Sequence, residues 1–266
     1  MKTRVISAIL IVAIFVPFLI VGGLPFAVFM CALGVCGLYE LLKVRESKKE
    51  FPFVLKIFAY LLTIGFCLYD INSIDFQYSF DYRVMAFLIF LFLSPMVFIN
   101  DTKRYNLNDA LFLIGSVLFI GLSFNLLIII RNFDITYIIY LLLITTLTDT
   151  FALITGKLVG KHKLCPKISP NKTIEGLVGG VFMGTFAAAA FYNTVISSSV
   201  SLVLVIGITL LLCLVGQLGD LVFSSIKRYY DVKDFSKLIP GHGGILDRFD
   251  SIIFIMLAFS FFLTII

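Results

Sequence analysis

Nine apolar stretches dominate this chain, at about 5–22, 24–42, 52–69, 84–99, 110–130, 134–156, 174–195, 200–223 and 250–266. Each approaches the roughly 20 residues that carry a helix across a bilayer. Composition agrees. Hydrophobic residues make up 60% and charged residues 14% of 266 positions, and mean hydropathy is +1.07. A soluble domain is nearer half apolar and one quarter charged, so this chain lacks the polar surface to cover itself in water. The expected fold is all-α: a polytopic integral membrane protein of about nine transmembrane helices. The first two stretches, joined at Gly22-Gly23-Leu24-Pro25, also suit a hairpin that does not fully cross. The first begins with Lys2 and Arg4, as a signal peptide does, but its length and the lack of a small-residue cleavage site favour a retained anchor.

Orientation follows from the basic residues, which concentrate in cytoplasmic loops. With nine alternating spans, eighteen of the 21 Lys and Arg fall on one side. Only Arg83 and Arg131 fall on the other, and Lys56 lies near the start of a span. A wrong span count scrambles this asymmetry. The expectation is an amino terminus in the cytoplasm and a carboxyl terminus outside, in the cell's inner (plasma) membrane. The five cysteines mostly sit inside apolar stretches without metal-ligand spacing and imply no disulfide framework. The acidic stretch from Asp70 to Asp81 has no catalytic spacing and reads as a solvated outer loop. No internal repeat is visible, which weakens a transporter built from duplicated halves.

Two cytoplasmic connections, 156–173 and 224–249, are long and polar, and they localise the chemistry. Just before the second, Asp220 lies within an apolar stretch, where a carboxylate is costly and usually functional. A helix places Asp220, Ser224, Lys227 and Arg228 on one face, at i, i+4, i+7 and i+8. That face suits a metal ligand beside groups that neutralise phosphate. Lys233-Asp234 follows, and then Gly241-His242-Gly243-Gly244, where missing side chains let backbone amides approach a phosphate. The next helix presents its first amides at the same place, favouring an anion. Asp247 and Asp250, three apart, share one face there. Dipole compensation also explains acids at a helix start, but with Asp220 they form an oxygen-ligand set for Mg²⁺.

From Ser224 the chain reads SSIKRYYDVKDFSKLIPGHGGILDRFD, which resembles the signature of the phosphatidate cytidylyltransferase (CDP-diacylglycerol synthase) family. Its fixed positions are met at Ser224, Lys227, Arg228, Lys233, Asp234, Ser236, Pro240, His242, Gly243, Gly244, Asp247, Arg248 and Asp250. A looser likeness extends upstream through Asp149, Gly156, Gly160 and the run Ser169 to Gly176. Residues 1–140 resemble the family only in being hydrophobic spans, so the chain divides into N-terminal helices at 1–140 and a catalytic region at 141–266. The resemblance implies that CTP and phosphatidic acid give CDP-diacylglycerol and pyrophosphate in phospholipid biosynthesis. Both reactants are highly anionic, so neutralisation and in-line positioning are most of the task. Asp220 and Asp247 are then expected to hold the metal, with Asp250 in support. Lys227, Arg228 and Arg248 would neutralise phosphates, and the Gly241–Gly244 turn would cradle the triphosphate. No nucleic-acid partner is implied.

A second group of residues carries open alternatives. Asp149 faces a small, polar helical surface with Thr145, Ala152 and Gly156, suiting metal ligation or packing equally. Lys172 meets either a triphosphate or anionic lipid headgroups. His242 suits a general base, a phosphate donor or a packing role in its turn. Ser169-Pro170 resembles a helix N-cap, His162 a solvated loop residue, and Glu40 at most an interfacial anchor. Gly179, Gly180 and Gly184 suit close helix packing, and small residues on the spans allow a homodimer. Two rival functions remain at this point. One is cytidylyl transfer to another membrane lipid phosphate; the other is a cation or solute transporter using Asp220 and Asp149.

Overall fold

The computed structural model describes residues 2–71, 82–99 and 101–262, and for residues 2–4 the backbone alone. The side chains of Lys2 and Arg4, and most of the acidic stretch 70–81, lie outside the described residues. Each of the nine apolar stretches carries helix: α1 (Lys2–Val21), α2 (Gly23–Glu46), α3 (Phe53–Cys67), α4 and α5 (Tyr82–Leu93, Pro95–Ile99), α6 (Leu107–Phe133), α7 (Ile135–Val159), α8 (Ile174–Phe191), α9 (Leu202–Tyr229) and α10 (Leu246–Phe259). Six segments are long and apolar enough to cross a membrane: Gly23–Glu46, Tyr82–Ile99, Leu107–Phe133, Ile135–Val159, Ile174–Ile196 and Leu202–Tyr229. Val5–Val21 and Phe53–Cys67 are shorter apolar helices.

The chain packs as two compact units: Met1–Asn132 with Phe235–Leu246, and Phe133–Asp234 with Asp247–Ile266. The boundary between the units falls at the α6–α7 turn, and the late segment Phe235–Leu246 packs with the first unit. Within that first unit, α1 turns into α2 through Gly22 and Gly23, whose positive φ angles (66° and 52°) suit glycine. Arg131 of α6 closes the α1 carboxyl end by donating to the carbonyls of Leu19 (2.8 Å) and Ile20 (2.7 Å). At the other end of α6, Asp109 and Asn106 exchange backbone-to-side-chain bonds of 3.0 and 3.1 Å, a reciprocal cap. Asp109 is only 1% exposed and is held by Arg45 (2.6 Å) and Lys49.

The second unit is built on close helix contact. Along α7, Thr148, Ala152 and Gly156 recur every four residues, and so do Gly176, Gly180 and Gly184 along α8. A Cβ at Gly180 would stand 2.5 Å from the Thr148 carbonyl and 2.8 Å from Ala152 Cβ. The backbones are therefore too close for any side chain, which is how small residues join membrane helices. The opposite face of α8 exposes Val178, Phe182 and Phe186, so its apolar side chains point outward and its glycines inward. The expectation for Gly179, Gly180 and Gly184 is met.

Two local expectations change. The 156–173 connection holds an antiparallel pair, β1 (Lys163–Cys165) with β2 (Ser169–Thr173), the one pair of strands among the described residues. Ser169 and Pro170 lie in β2 and cap nothing. The N-cap of α8 is Thr173, whose hydroxyl accepts from the Gly176 amide at 3.1 Å. Pro170 tolerates that place because a two-stranded ribbon has free edges, where a missing N–H breaks no ladder.

Candidate active site

Helix α9 carries the site's floor and α10 docks against it. A Cβ at Gly216 would lie 2.7 Å from Ile255, and one at Gly219 would lie 2.7 Å from Phe254 and 3.0 Å from the Asp250 carbonyl. These glycines let α10 approach closely enough to bring its first turns beside Asp220 and Lys227. The expected one-face placement of Asp247 and Asp250 follows, because α10 begins at Leu246.

The result is a cavity of about 340 Å³ lined entirely by charged residues: Asp149, Asp220, Lys227, Asp234, Asp247, Arg248 and Asp250. Five carboxylates face two cations. At its wall, Lys227 Nζ donates to Asp247 Oδ1 at 2.7 Å, and both side chains are almost fully buried (11% and 3% exposed). A buried pair of this kind costs desolvation that its attraction barely offsets, so its presence needs a reason other than stability.

A second cavity of about 580 Å³ shares Asp149 and Asp220 and is walled by Leu153, Leu164 and Leu177, with Lys157, Asn171 and Lys172 among its polar groups. Here Lys172 Nζ pairs with Asp220 Oδ2 at 2.6 Å and donates to Gln217 Oε1 at 3.0 Å. Gln217 Nε2 in turn donates to Asp149 Oδ1 at 2.5 Å. Gln217 is 3% exposed and joins two carboxylates through one lysine. Its spacing of three before Asp220, on the same helical face, is the sequence signal that was available for it.

The other expected residues divide. Ser224 donates to Asp220 at 3.4 Å. Arg228 is exposed, donates to the carbonyls of Ile168 (3.3 Å) and Val232 (3.2 Å) and does not line the charged cavity. It lies within α9, which runs to Tyr229, and adjacent helical positions point about 100° apart, so Lys227 is buried while Arg228 is exposed. Lys233 is exposed and lines neither cavity. His162 pairs with Glu175 at 2.6 Å, and Glu175 also accepts from the amides of Lys161 and His162.

Gly241, His242, Gly243 and Gly244 belong to the first unit and line neither of the two cavities. Gly241 and Gly243 adopt φ of 79° and 86°, the Gly243 amide bonds back to Ile239, and His242 Nδ1 meets Ser7 Oγ at 2.7 Å. The amides of Ile245 and Leu246, expected to receive an anion, already have one. Glu40 accepts from them at 2.8 and 2.9 Å and from Ser236 Oγ at 2.7 Å. Glu40 is 1% exposed, far from the interfacial anchor that its place beside Tyr39 suggests.

The donor set of the charged cavity suits Mg²⁺. It offers carboxylate oxygens, an excess of negative charge and no cysteine or histidine. Among the described residues no three His, Cys, Asp or Glu side chains are gathered so that they could hold a metal ion between them, so Mg²⁺ here would take one or two protein carboxylates and leave its other positions to water and phosphate.

Known proteins resemble this chain along its whole length. A family model described as "Cytidylyltransferase family" matches residues 2–266. The phosphatidate cytidylyltransferase of Bacillus subtilis (strain 168) is 38% identical over 273 residues, covering 99% of this chain and 97% of its own. Those of Staphylococcus aureus (strain COL) and Staphylococcus haemolyticus (strain JCSC1435) are 36% and 38% identical over 256 residues, covering 96% of each chain.

Proposed function

Because the chain belongs to the cytidylyltransferase family, we propose that it joins CTP to phosphatidic acid, releasing pyrophosphate and leaving CDP-diacylglycerol in the membrane. The observation that carries this reading is the cavity lined only by charge, set among helices apolar enough to cross a membrane. A phosphate oxygen of phosphatidic acid attacks the α-phosphorus of CTP. The new P–O bond forms as the bond to the bridging oxygen breaks, and pyrophosphate leaves with that electron pair. The reaction needs no protein nucleophile.

Asp220 and Asp247 would hold Mg²⁺, with Asp250 and Asp149 in support, a reading supported by their shared lining of the charged cavity. When bound, the ion supplies charge neutralisation on the triphosphate and the leaving pyrophosphate. The protein's own residues do the rest. Lys227 and Arg248 offer positive charge inside the cavity, and Lys172, held between Gln217 and Asp220, offers it where the two cavities meet. The apolar wall of Leu153, Leu164 and Leu177 beside these cations suits a lipid whose phosphate is polar and whose chains are not. Arg228 and Lys233 serve the rim, where approaching polyanions are first met.

The distribution of Lys and Arg supports nine spans, with the site facing the cytoplasm of a plasma (inner) membrane. The family assignment removes the transporter alternative. The choice of acceptor is tested by incubating purified protein in detergent with radiolabelled CTP and a series of lipid phosphates. Label is expected in CDP-diacylglycerol with phosphatidic acid as the preferred acceptor. Preferred labelling of an isoprenoid or ether-linked lipid phosphate would reassign the substrate.

A further inference from the structure

The signature's glycine turn is expected to cradle the triphosphate, and in the structure its last residue, Gly244, lies against Glu40, as does the signature's Ser236. This buried carboxylate occupies the amino-terminal amides of α10, with one oxygen on Ile245 and Ser236 and the other on Leu246. Gly244 stands so close that a Cβ there would collide with both carboxylate oxygens. One turn earlier on α2, Gly37 makes room for Leu246, since a Cβ at Gly37 would lie 3.0 Å from Leu246 Cδ2. Helix α2 is thus shaped at two successive positions to receive the residue that opens α10. The next residue in the chain is Asp247.

We infer that Glu40 is a positioning residue for catalysis: its carboxylate stands in for an external anion at the start of α10 and so fixes where Asp247 and Asp250 are presented. This rests on the cytidylyltransferase reading. A negative charge at a helix amino terminus is favoured by the unpaired amides and by the helix dipole. Each amide bond to an ionised oxygen is also stronger than one to a neutral acceptor. The start of α10 is therefore held by charge-assisted bonds from α2, with Ser236 adding a third. Residues that support a metal ligand in this way typically matter about 10–100-fold for activity. The arrangement also gives Gly244 and Ser236 a task that needs no contact with nucleotide.

The test uses full-length protein in detergent, as wild type, Glu40→Gln, Glu40→Asp and Asp247→Asn. Gln keeps the shape but gives up one acceptor oxygen; Asp keeps the charge but falls short by one methylene. Three readouts are taken: thermal unfolding, hydrogen exchange of the peptide spanning 236–246, and kcat and KM for CTP. Glu40→Gln should speed exchange at Ile245 and Leu246 and lower kcat by roughly 10- to 100-fold. KM for CTP and the folded fraction should hold, and Glu40→Asp should recover part of kcat. Wild-type kcat in Glu40→Gln, whether exchange rises or not, overturns the inference. So does a loss of activity that matches the unfolded fraction in both Glu40 variants. A wild type that turns over no lipid acceptor fails the cytidylyltransferase reading itself, and the inference falls with it.

Discussion

Two buried acidic groups with basic partners, one in each unit, show what separates architecture from chemistry. In the first unit, Asp109 is saturated: Arg45 and Lys49 hold its two oxygens, the Asn106 amide adds a third bond, and 1% of the residue is exposed. It lines neither of the two cavities described above. In the second unit, Asp247 meets Lys227 at 2.7 Å on the wall of a charged cavity, where Asp149, Asp220, Asp234 and Asp250 exceed the available cations. Burial and pairing are alike in both. The difference lies in uncompensated charge beside open space, which a substrate and its metal can complete.

That contrast predicts opposite responses to similar changes. Asp220→Asn and Asp247→Asn should each lower CTP-dependent turnover per folded molecule by at least about 10²–10³-fold, as loss of one preorganised electrostatic group does. Thermal unfolding in detergent should stay near wild type for Asp220→Asn, whereas Asp247→Asn leaves the buried Lys227 without its partner and should lose stability as well. Asp109→Ala should do the reverse of Asp220→Asn. It leaves the half-buried Arg45 and Lys49 without their partner and should cost stability, up to about 3–5 kcal/mol, with turnover per folded molecule preserved. A catalytic defect in well-folded Asp109→Ala would erase the distinction between the two clusters. Lys227→Met sharpens it, because that residue should lose both stability and turnover.

Smaller effects test how the second unit is assembled. Gly180→Leu forces a side chain between α7 and α8, where a Cβ already meets the Thr148 carbonyl at 2.5 Å. Overpacking of this kind costs about 1–3 kcal/mol, and a drop in the thermal midpoint should show it. Thr173→Ala removes only the cap of α8 and should cost about 1 kcal/mol. Because Lys172 is its neighbour, a rise in KM for CTP beside that small loss would link the hairpin to substrate binding.

The helices were legible because apolar runs of bilayer length can hardly be anything else, and every run is helical in the structure. The carboxylates of the charged cavity were legible because Asp220, Asp247 and Asp250 interrupt or open such runs. Glu40 interrupts one too, and the reasoning applied to Asp220 applied equally to it. What concealed its role is that its partners are the amides of Ile245 and Leu246, about two hundred residues away, and amides leave no mark in a sequence. Gln217 was hidden differently: an uncharged side chain gains its meaning from Lys172 on β2 and Asp149 on α7. The β1–β2 hairpin escaped notice because Ser-Pro-Asn-Lys-Thr lacks the alternation that marks a strand, and Ser-Pro at a helix entrance reads as a cap. Arg228 lies at the edge of the face that spacing assigns, about 100° round the helix from Lys227, and is exposed in the structure.

The account turns on the charged cavity being where CTP and phosphatidic acid react. The most direct measurement is pyrophosphate release by purified protein given both substrates, with Mg²⁺ and with chelator, beside Asp220→Asn and Asp247→Asn. The account predicts release that requires Mg²⁺ and both substrates and disappears in each folded variant. Release that persists with chelator, or in folded Asp220→Asn and Asp247→Asn, would place the chemistry elsewhere and contradict it.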